Sequence, residues 1–470
     1  MIPMARPGSQ TNVLRSAPIG QRFAAAPEPV ALEQPELNLT YILVWLFVFE
    51  AFVRVEDILP IVESLHVVLL LAIAGTLAYL GSLVAGKLRF QWSPELGLVL
   101  LLSAWFAAGI PFAFWKSGSL HLLVGDWLRT VLFFFLLTQT LTTVGRVRKI
   151  IWAVLLSMLL ANAASLLMQG NPAYYDAGGR FTGINKALLG WNFLGITLSA
   201  TLPFIAYLYV ASRSVLRILL LFAVLGSSLW MLVLTASRGG VLGIAFSLML
   251  SWWFLIRGSS RSLQLTVVVG LCLVVAVAKA PPIFWERLLA GSSTTQWNEN
   301  SASAADSTQE RERLLEDSIG DTLRHPMFGL GIGNFSAYHG TLGQSEGWLG
   351  PHNTFTQISA EAGVPALLIF LCLMGVMIRH MKQVSDGLKD KPEHSELRLL
   401  AHATLASALA FVFAGFFAHL AYAYLVYYII AIGAAIRTLA SGKIQPATEQ
   451  VGFPGRVSSP YTAKQAISWR

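Results

Sequence analysis

Twelve long apolar stretches are the feature that most constrains this chain. Each holds about 17–25 mostly apolar residues, the length that an α-helix needs to cross the hydrocarbon core of a bilayer. Charged residues make up only 12% of the 470 residues, whereas soluble domains carry about 25%. Such a chain cannot cover a soluble surface, so we expect an all-α polytopic membrane protein. The predicted spans are 38–54, 61–81, 96–115, 122–142, 150–169, 189–210, 216–236, 239–257, 262–280, 354–378, 399–419 and 421–438.

Lysine and arginine are distributed unevenly between the two sides of these spans. If the N-terminus is inside, the inner tails and loops hold 22 of the 33 basic residues and the outer segments hold ten, with Arg129 inside a span. Basic residues collect on the cytoplasmic side of membrane proteins. We therefore predict that both termini are cytoplasmic. We interpret the net charge of +8 as a consequence of how the chain is oriented in the membrane, and we do not expect a nucleic-acid partner.

One connection, 281–352, is much longer than the others, and connections of this length are usually functional or disordered. The remaining chain divides around it. The predicted domains are a disordered cytoplasmic tail (1–37), spans one to nine (38–280), the long periplasmic loop (281–352), spans ten to twelve (353–438) and a second cytoplasmic tail (439–470).

The long connection has a polar part and a helical part. Residues 291–309 are polar and predicted to be mobile. The following ERERLLEDSIGDTLRH predicts an amphipathic helix. Arg311 precedes Leu314 and Leu315 by three and four positions, so helical spacing places it beside the apolar face and towards the membrane. The predicted apolar face is Leu314, Leu315, Ile319 and Leu323, and the predicted wet face is Glu312, Glu316, Asp317 and Asp321.

Three arginines on the outer side are candidates for binding an anion. Arg238 lies in TASRGGVLG, where the glycines are expected to allow a sharp turn and close approach of a ligand, and a guanidinium suits phosphate oxygens. The alternative for Arg238 is a helix cap or a lipid-headgroup contact. For Arg311 the alternative is a surface salt bridge with Glu310 or Glu312. Arg180, in GGRFTGIN, either joins an anion site or solubilises its loop.

His352 is the candidate general base, because a neutral imidazole can accept a proton from a hydroxyl at neutral pH. The alternative is a helix-entry residue hydrogen-bonded at the interface. Asn353 follows it directly, and His339 lies in the same segment. Glu361 falls inside the tenth predicted span, where an ionisable group is a functional hint. A helix-packing hydrogen bond is the equal alternative for Glu361.

Metal and cofactor motifs are not visible in the sequence. There is no HExxH, no DxD and no Walker-type loop, and the glycines of GLGIGNF do not follow a strand in a βαβ unit. We therefore expect neither a metal nor a cofactor. Asp126 and Arg129 stand at i and i+3 in the fourth predicted span, where a structural ion pair is favoured over a proton relay.

Four segments, in order, resemble the O-antigen ligase and O-antigen polymerase superfamily. They are RFTGINKALLGWNFLGITLSATLPF at 180–204, LTASRGGVLGIAFSL at 234–248, RERLLEDSIGDTLRHPMFGLGIGNF at 311–335 and HNTFTQISAEAGVPALLIF at 352–370. The resemblance implies a GT-C-like glycosyltransferase of the bacterial inner membrane with about 12 transmembrane helices and one long external loop. Its site would face the periplasm. Its partners would be an undecaprenyl-diphosphate-linked glycan donor, a glycan or lipid A-core acceptor, and membrane lipids.

The resemblance also implies roles for individual residues. Arg238 and Arg311 match the diphosphate-binding arginines of the superfamily, with Arg180 as a third, and His352 matches its catalytic base. The reaction implied is inverting and independent of metal. Ligation, polymerisation and protein glycosylation stay open, and the rival class is a lipid-linked oligosaccharide flippase or transporter. The expected supporting residues are Asn353, His339, Arg313 and Glu361.

Overall fold

The computed structural model describes residues 38–175, 180–183, 191–289, 299–342 and 349–441, and within these ranges the fold is all-helical without a β-strand. The predicted tail 1–37 lies outside them, as does the predicted tail 439–470 from residue 442 onward; residues 439 and 440 belong to the last helix. The α-helices are α1 (Leu39–Val53), α2 (Val55–Ile58), α3 (Val67–Val84), α4 (Pro94–Gly109), α5 (Lys116–Leu122), α6 (Leu128–Thr140), α7 (Val144–Leu167), α8 (Trp191–Ala211), α9 (Val215–Thr235), α10 (Arg238–Ser251), α11 (Ser262–Ala278), α12 (Pro282–Leu289), α13 (Glu299–Arg324), α14 (Phe335–Thr341), α15 (Thr354–Gly387), α16 (Ser395–Ala414) and α17 (Tyr424–Ala440).

Short segments of other helix types continue or join these elements. The π-helical segment Leu123–Trp127 links α5 to α6, and Asp126 within it forms the predicted ion pair with Arg129, at 2.8 Å. The second π-helical segment, Trp252–Ile256, extends α10. The 3₁₀-helices are Pro60–Leu65, Ile110–Phe112, Pro172–Tyr174, Pro392–His394 and Gly415–Phe417.

Nine helical segments of the described chain are long and apolar enough to cross a membrane. A tenth would be α11 together with α12, which are bent by 101° at their junction. The predicted spans at 38–54 and 421–438 correspond to α1 and α17, which are shorter apolar helices. The count of twelve therefore stays a prediction. The nine segments are Ile61–Val84, Pro94–Phe112, Lys116–Thr140, Val144–Leu167, Phe193–Ala211, Val215–Thr235, Arg238–Ile256, Thr354–Gly387 and Pro392–Phe417.

Helix α8 is largely buried and packs against α9, α10 and α16. Small residues make the contact with α10 close, as is common between membrane helices. A Cβ on Gly195 would lie 2.4 Å from the Cα of Gly240, and a Cβ on Gly243 would lie 2.6 Å from Oγ of Ser199. This contact fixes the beginning of α10, and Arg238 is its first residue.

The turn between α9 and α10 differs from the sequence prediction. Its left-handed residue is Ala236, with φ 47° and ψ 40°, whereas Gly239 and Gly240 lie inside α10. A Cβ on Gly239 would meet Cβ of Phe417 at 2.9 Å. These glycines therefore serve helix packing, and the prediction that they make the turn was wrong.

Helix α13 includes the predicted amphipathic helix but begins earlier, at Glu299. Part of the polar segment 291–309 is therefore helical, and its mobility stays a prediction; 290–298 lie outside the described residues. The predicted apolar face was also wrong. Leu314 is buried, but Leu315, Ile319 and Leu323 are 37%, 47% and 75% exposed.

The buried face of α13 carries polar residues instead. Ser318 and Asp321 are fully buried beside Leu314, at the i, i+4 and i+7 spacing of one helix face. Asp321 was predicted to be wet, but its Oδ2 lies 2.7 Å from Nε2 of the buried His339. A buried carboxylate is tolerated when it is paired, and this pair fastens α13 to α14.

Helix α15 is broken near its outer third, where Gly363 has φ 81° and ψ 173°. Pro365 lacks an N–H, so the carbonyl of Glu361 is left without its helical partner. That carbonyl accepts a hydrogen bond from the N–H of Gly331, at 2.9 Å, and the carbonyl of Ala360 accepts one from Leu330, at 2.8 Å. The glycine-rich turn GLGIGNF is thereby attached to the break.

Two further contacts hold this turn against the membrane helices. The N–H of Phe114 donates to the carbonyl of Leu330, and Oγ of Ser119 donates to the carbonyl of Ile332. A Cβ on Gly329 would lie 2.4–2.6 Å from backbone atoms of residues 360–362, so only glycine permits this approach. The segment between α13 and α14 is therefore fixed to α4, α5 and α15.

Adding a single methyl group at the break in α15 should strongly lower the stability of the protein. Gly363→Ala should lower the free energy of unfolding by about 2 kcal/mol or more, because its positive φ is strained for alanine and the Cβ would lie 2.1 Å from the carbonyl oxygen of Met327. Gly375→Ala, in the regular part of α15 with open space around it, is the matched control and should be neutral or slightly stabilising. Thermal unfolding of purified protein checks both variants, and equal melting temperatures would contradict this description of the break.

Candidate functional site

The site lies at one end of the membrane helices, where elements distant in sequence meet. Arg238 begins α10, Arg311 lies on α13, His352 precedes α15, and His419 lies between α16 and α17. Arg180 stands beside Phe181, which is buried and donates its N–H to the carbonyl of Leu234 at the end of α9. We call Arg180, Arg238 and Arg311 the arginine cluster.

Arg238 is positioned by its own helix start. Oγ of Ser237 accepts a hydrogen bond from the N–H of Gly240 at 3.2 Å and caps α10. The guanidinium extends from this half-buried position and donates through Nη2 to Oγ1 of Thr308, at 2.7 Å, on α13. Arg238 therefore links the membrane helices to the segment after the ninth predicted span, and the helix cap itself is Ser237.

The pKa of Arg311 is affected by both of the other arginines. Burial lowers the pKa of Arg311, and the charges of Arg238 and Arg180 lower it further, while Glu310 acts in the opposite direction. The charges of Arg180 and Arg238 thus both reach Arg311. Gathering like charges in a partly desolvated place is unfavourable by itself, and such groups of perturbed residues are typical of binding sites.

His352 lies just before α15, within electrostatic reach of Arg311. Its backbone is left-handed, with φ 51°. Burial, His419 and the charge of Arg311 lower the pKa of His352 from 6.5 to about 3, so the imidazole is neutral at pH 7. Within the described ranges, its buried Nδ1 meets no hydrogen-bond partner. Among the described residues, the structure therefore shows no interface hydrogen bond through this nitrogen.

His419 also lies at this site. It was not among the predicted site residues, because it falls at the end of the apolar stretch 399–419. Its ring centroid lies 5.3 Å from that of His352 in an edge-to-face arrangement, and Phe193 packs against its other side. Burial lowers the pKa of His419 to about 4. A Cβ on Gly350 would lie 2.7–2.9 Å from the His419 ring, so the chain passes very close to it. The available signal was an ionisable residue at the end of a predicted span, on the same side of the membrane as His352 in the predicted topology.

The four expected supporting residues lie in different environments. Asn353 caps α15, because its Oδ1 accepts hydrogen bonds from the N–H groups of Phe355 and Thr356. Arg313 is exposed on α13. His339 is buried against Asp321. None of these three is among the groups that act on the pKa of Arg311 or His352.

Glu361 is buried and accepts three hydrogen bonds. They come from the N–H of Gly333 (3.0 Å), the N–H of Phe335 (3.3 Å) and the hydroxyl of Tyr422 (2.7 Å). Of the two alternatives left open by the sequence, the structure shows the packing role, because every partner belongs to the glycine-rich turn or to the connection before α17. Glu361 thus fixes the glycine-rich turn between α13 and α14.

Over the described part of the chain, no group of three or more His, Cys, Asp or Glu side chains is arranged to hold a metal ion. The residues that do converge are guanidiniums and imidazoles, which are donors for an anion and acceptors for a proton.

The hydrogen bonds of Glu361 predict a graded loss of stability. Glu361→Ala removes the acceptor of the N–H groups of Gly333 and Phe335 and of the Tyr422 hydroxyl, and should lower the free energy of unfolding by about 3 kcal/mol or more. Tyr422→Phe removes one donor, so a smaller loss of about 1–2 kcal/mol is expected. Chemical or thermal denaturation in one detergent measures both, and a larger loss in Tyr422→Phe than in Glu361→Ala would contradict this assignment.

Comparison with known proteins adds one match. The family described as O-Antigen ligase matches residues 220–371, about a third of the chain, and this range includes Arg238, Arg311 and His352. Arg180 and His419 lie outside it. No curated protein matches the chain. This domain match supports the O-antigen ligase and polymerase superfamily, and the apolar helices fit a multi-pass membrane protein.

Proposed function

We propose that the chain transfers a glycan from an undecaprenyl-diphosphate-linked donor to a glycan or lipid A-core acceptor, as an O-antigen ligase or polysaccharide polymerase of the bacterial inner membrane. The observation that carries the proposal is the convergence of three arginines and a neutral histidine at one end of the membrane helices. The site would face the periplasm, which accords with the excess of basic residues at the other end.

The arginine cluster would bind the diphosphate of the donor. A diphosphate carries the negative charge that offsets the mutual repulsion of Arg180, Arg238 and Arg311. As the bond between the anomeric carbon and the diphosphate oxygen breaks, its electron pair passes to that oxygen, and the guanidiniums stabilise the growing charge. This role for arginine supports a reaction that is independent of metal.

His352 would act as the general base. The acceptor hydroxyl gives its proton to the imidazole while its oxygen attacks the anomeric carbon opposite the leaving group, so the configuration inverts. Because Nδ1 of His352 is buried, we assign the proton to Nε2. The imidazole has a pKa of about 3 before the donor binds, and a bound diphosphate would raise its basicity by opposing the charge of Arg311.

His419 and Glu361 would act as positioning residues. The ring of His419 packs edge-to-face on His352 and restricts its orientation. Glu361 holds the glycine-rich turn, and through it the placement of α13, which carries Arg311. Ligation and polymerisation would use the same donor chemistry and differ in the acceptor.

A lipid-linked oligosaccharide flippase is the alternative, since it too would hold a diphosphate with arginines. The two functions differ in bond cleavage. Reconstituted protein with purified lipid-linked donor should release undecaprenyl diphosphate and lengthen or attach a glycan, with or without EDTA. Movement of intact donor across the bilayer without release would favour the flippase.

Two arginines on α13 provide a matched test of the site. Arg311→Ala should lower the rate of glycan transfer by about 10²–10³-fold, the loss typical of removing one preorganised charge-stabilising donor. Arg313→Ala, two residues away and exposed, should retain nearly full activity. The assay is glycan transfer in proteoliposomes at equal protein levels.

His352 is tested in the same assay. His352→Gln should lower transfer by about 10²–10⁴-fold, as expected for loss of a general base, while donor binding is retained. Full activity of the Arg311→Ala or the His352→Gln variant would contradict the proposed mechanism.

A further inference from the structure

Three adjoining open cavities lie at the ends of the membrane helices opposite the candidate site. The largest, 480 Å³, lies between the π-helical extension of α10 and α16 and is lined by Trp253, Arg257, Arg398 and His402 among others. The second, 150 Å³, shares Arg398 and His402 with it. The third, 370 Å³, shares a lysine with the second and extends to α17. We call the three cavities the distal groove.

The lining of the distal groove is basic. Within the described residues, no aspartate or glutamate is among the groups that line it. Asp386, Asp390 and Glu393 are exposed and are not among the lining residues. The buried Glu95 lies behind the third cavity, 2.7 Å from His380 and 3.8 Å from Arg437. The lining cations are Arg257, Lys389, Lys391, Arg398 and Arg437.

Arg398 lies where the two cavities beside α16 meet. Its Nε is buried and has no hydrogen-bond partner among the described residues. Arg257 lies on the other wall, with its guanidinium 4.1 Å from the ring centroid of Trp253. A buried guanidinium N–H without a partner is unfavourable, and a phosphate oxygen in the cavity would satisfy it.

One wall of the largest cavity is apolar. Val210, Leu255 and Leu399 line it beside the arginines. Trp252 and Trp253 are exposed at the end of α10, and tryptophan is enriched where a membrane meets water. The groove therefore offers cations for a headgroup and apolar surface for the adjoining chains. This combination favours an amphipathic ligand over a small soluble anion.

We propose that the distal groove binds the phosphate headgroup of an anionic phospholipid. Arg257 and Arg398 would hold the phosphate, and Trp253 with the apolar wall would contact the upper acyl chains. Basic pockets between the ends of membrane helices are known to take such headgroups. The site is separated from the arginine cluster by the length of α16, about 30 Å, and does not depend on glycan transfer.

Native mass spectrometry of the full-length protein, with phosphatidylglycerol, phosphatidylcholine or inorganic phosphate added, tests this site. We expect phosphatidylglycerol to bind roughly tenfold or more tightly than phosphatidylcholine. The double variant Arg257→Gln and Arg398→Gln should lose roughly tenfold or more of that affinity, because it removes two charge-assisted contacts. Arg213→Gln is the control, since Arg213 is exposed at the same end and is not among the residues that line the groove.

Three results would overturn the proposal. They are equal binding of the two phospholipids, equal losses in the double variant and in Arg213→Gln, and displacement of phosphatidylglycerol by equimolar inorganic phosphate. Should the double variant fail to fold, Arg257→Gln alone serves, because Arg257 is exposed, and an unchanged affinity in that variant counts against the site equally.

Discussion

The break in α15 is the constraint on which the geometry of the site depends. A continuous helix would use the carbonyls of Ala360 and Glu361 internally, but the left-handed Gly363 and the following Pro365 leave them available. Backbone N–H groups of the glycine-rich turn donate hydrogen bonds to those carbonyls, and the side chain of Glu361 accepts three more. With the turn fixed, α13 lies against α15, and Arg311 comes within reach of Arg238 and His352.

The two ends of the molecule differ in the surroundings of their charged residues. At the site, His352 stays neutral chiefly because burial lowers its pKa, and the nearby His419 and the charge of Arg311 lower that pKa further. At the opposite end, the cations line open cavities beside exposed tryptophans. Both ends carry cations that suit phosphate groups; the proposal assigns a diphosphate that leaves during a reaction to the first and a lipid headgroup that stays bound to the second.

The sequence predicted the helices well, because length and apolarity are local properties. The apolar stretches reappear as helices, and the resemblance identified three arginines and one histidine that the fold brings together. Prediction from the sequence failed where contacts with residues distant in sequence determine the environment of a side chain. The buried face of α13 contains Ser318 and Asp321, and only the contact with His339 makes Asp321 tolerable there. His419 was missed because it adjoins an apolar run, and the glycines after Arg238 were assigned to a turn when they pack against α8 and Phe417.

The central claim is that His352 lies in a buried, positively charged site, is neutral in the free protein and becomes more basic when the diphosphate binds. The direct measurement is an NMR titration of ¹⁵N-histidine-labelled protein, with His352→Gln to assign the signal. In the free protein, the His352 signal should not titrate between pH 5 and 8, since its pKa is about 3, and a polyprenyl diphosphate should raise that pKa. Titration near 6.5 that is insensitive to Arg311→Gln and to the diphosphate would contradict the claim, because it would describe a solvated imidazole remote from the arginine cluster.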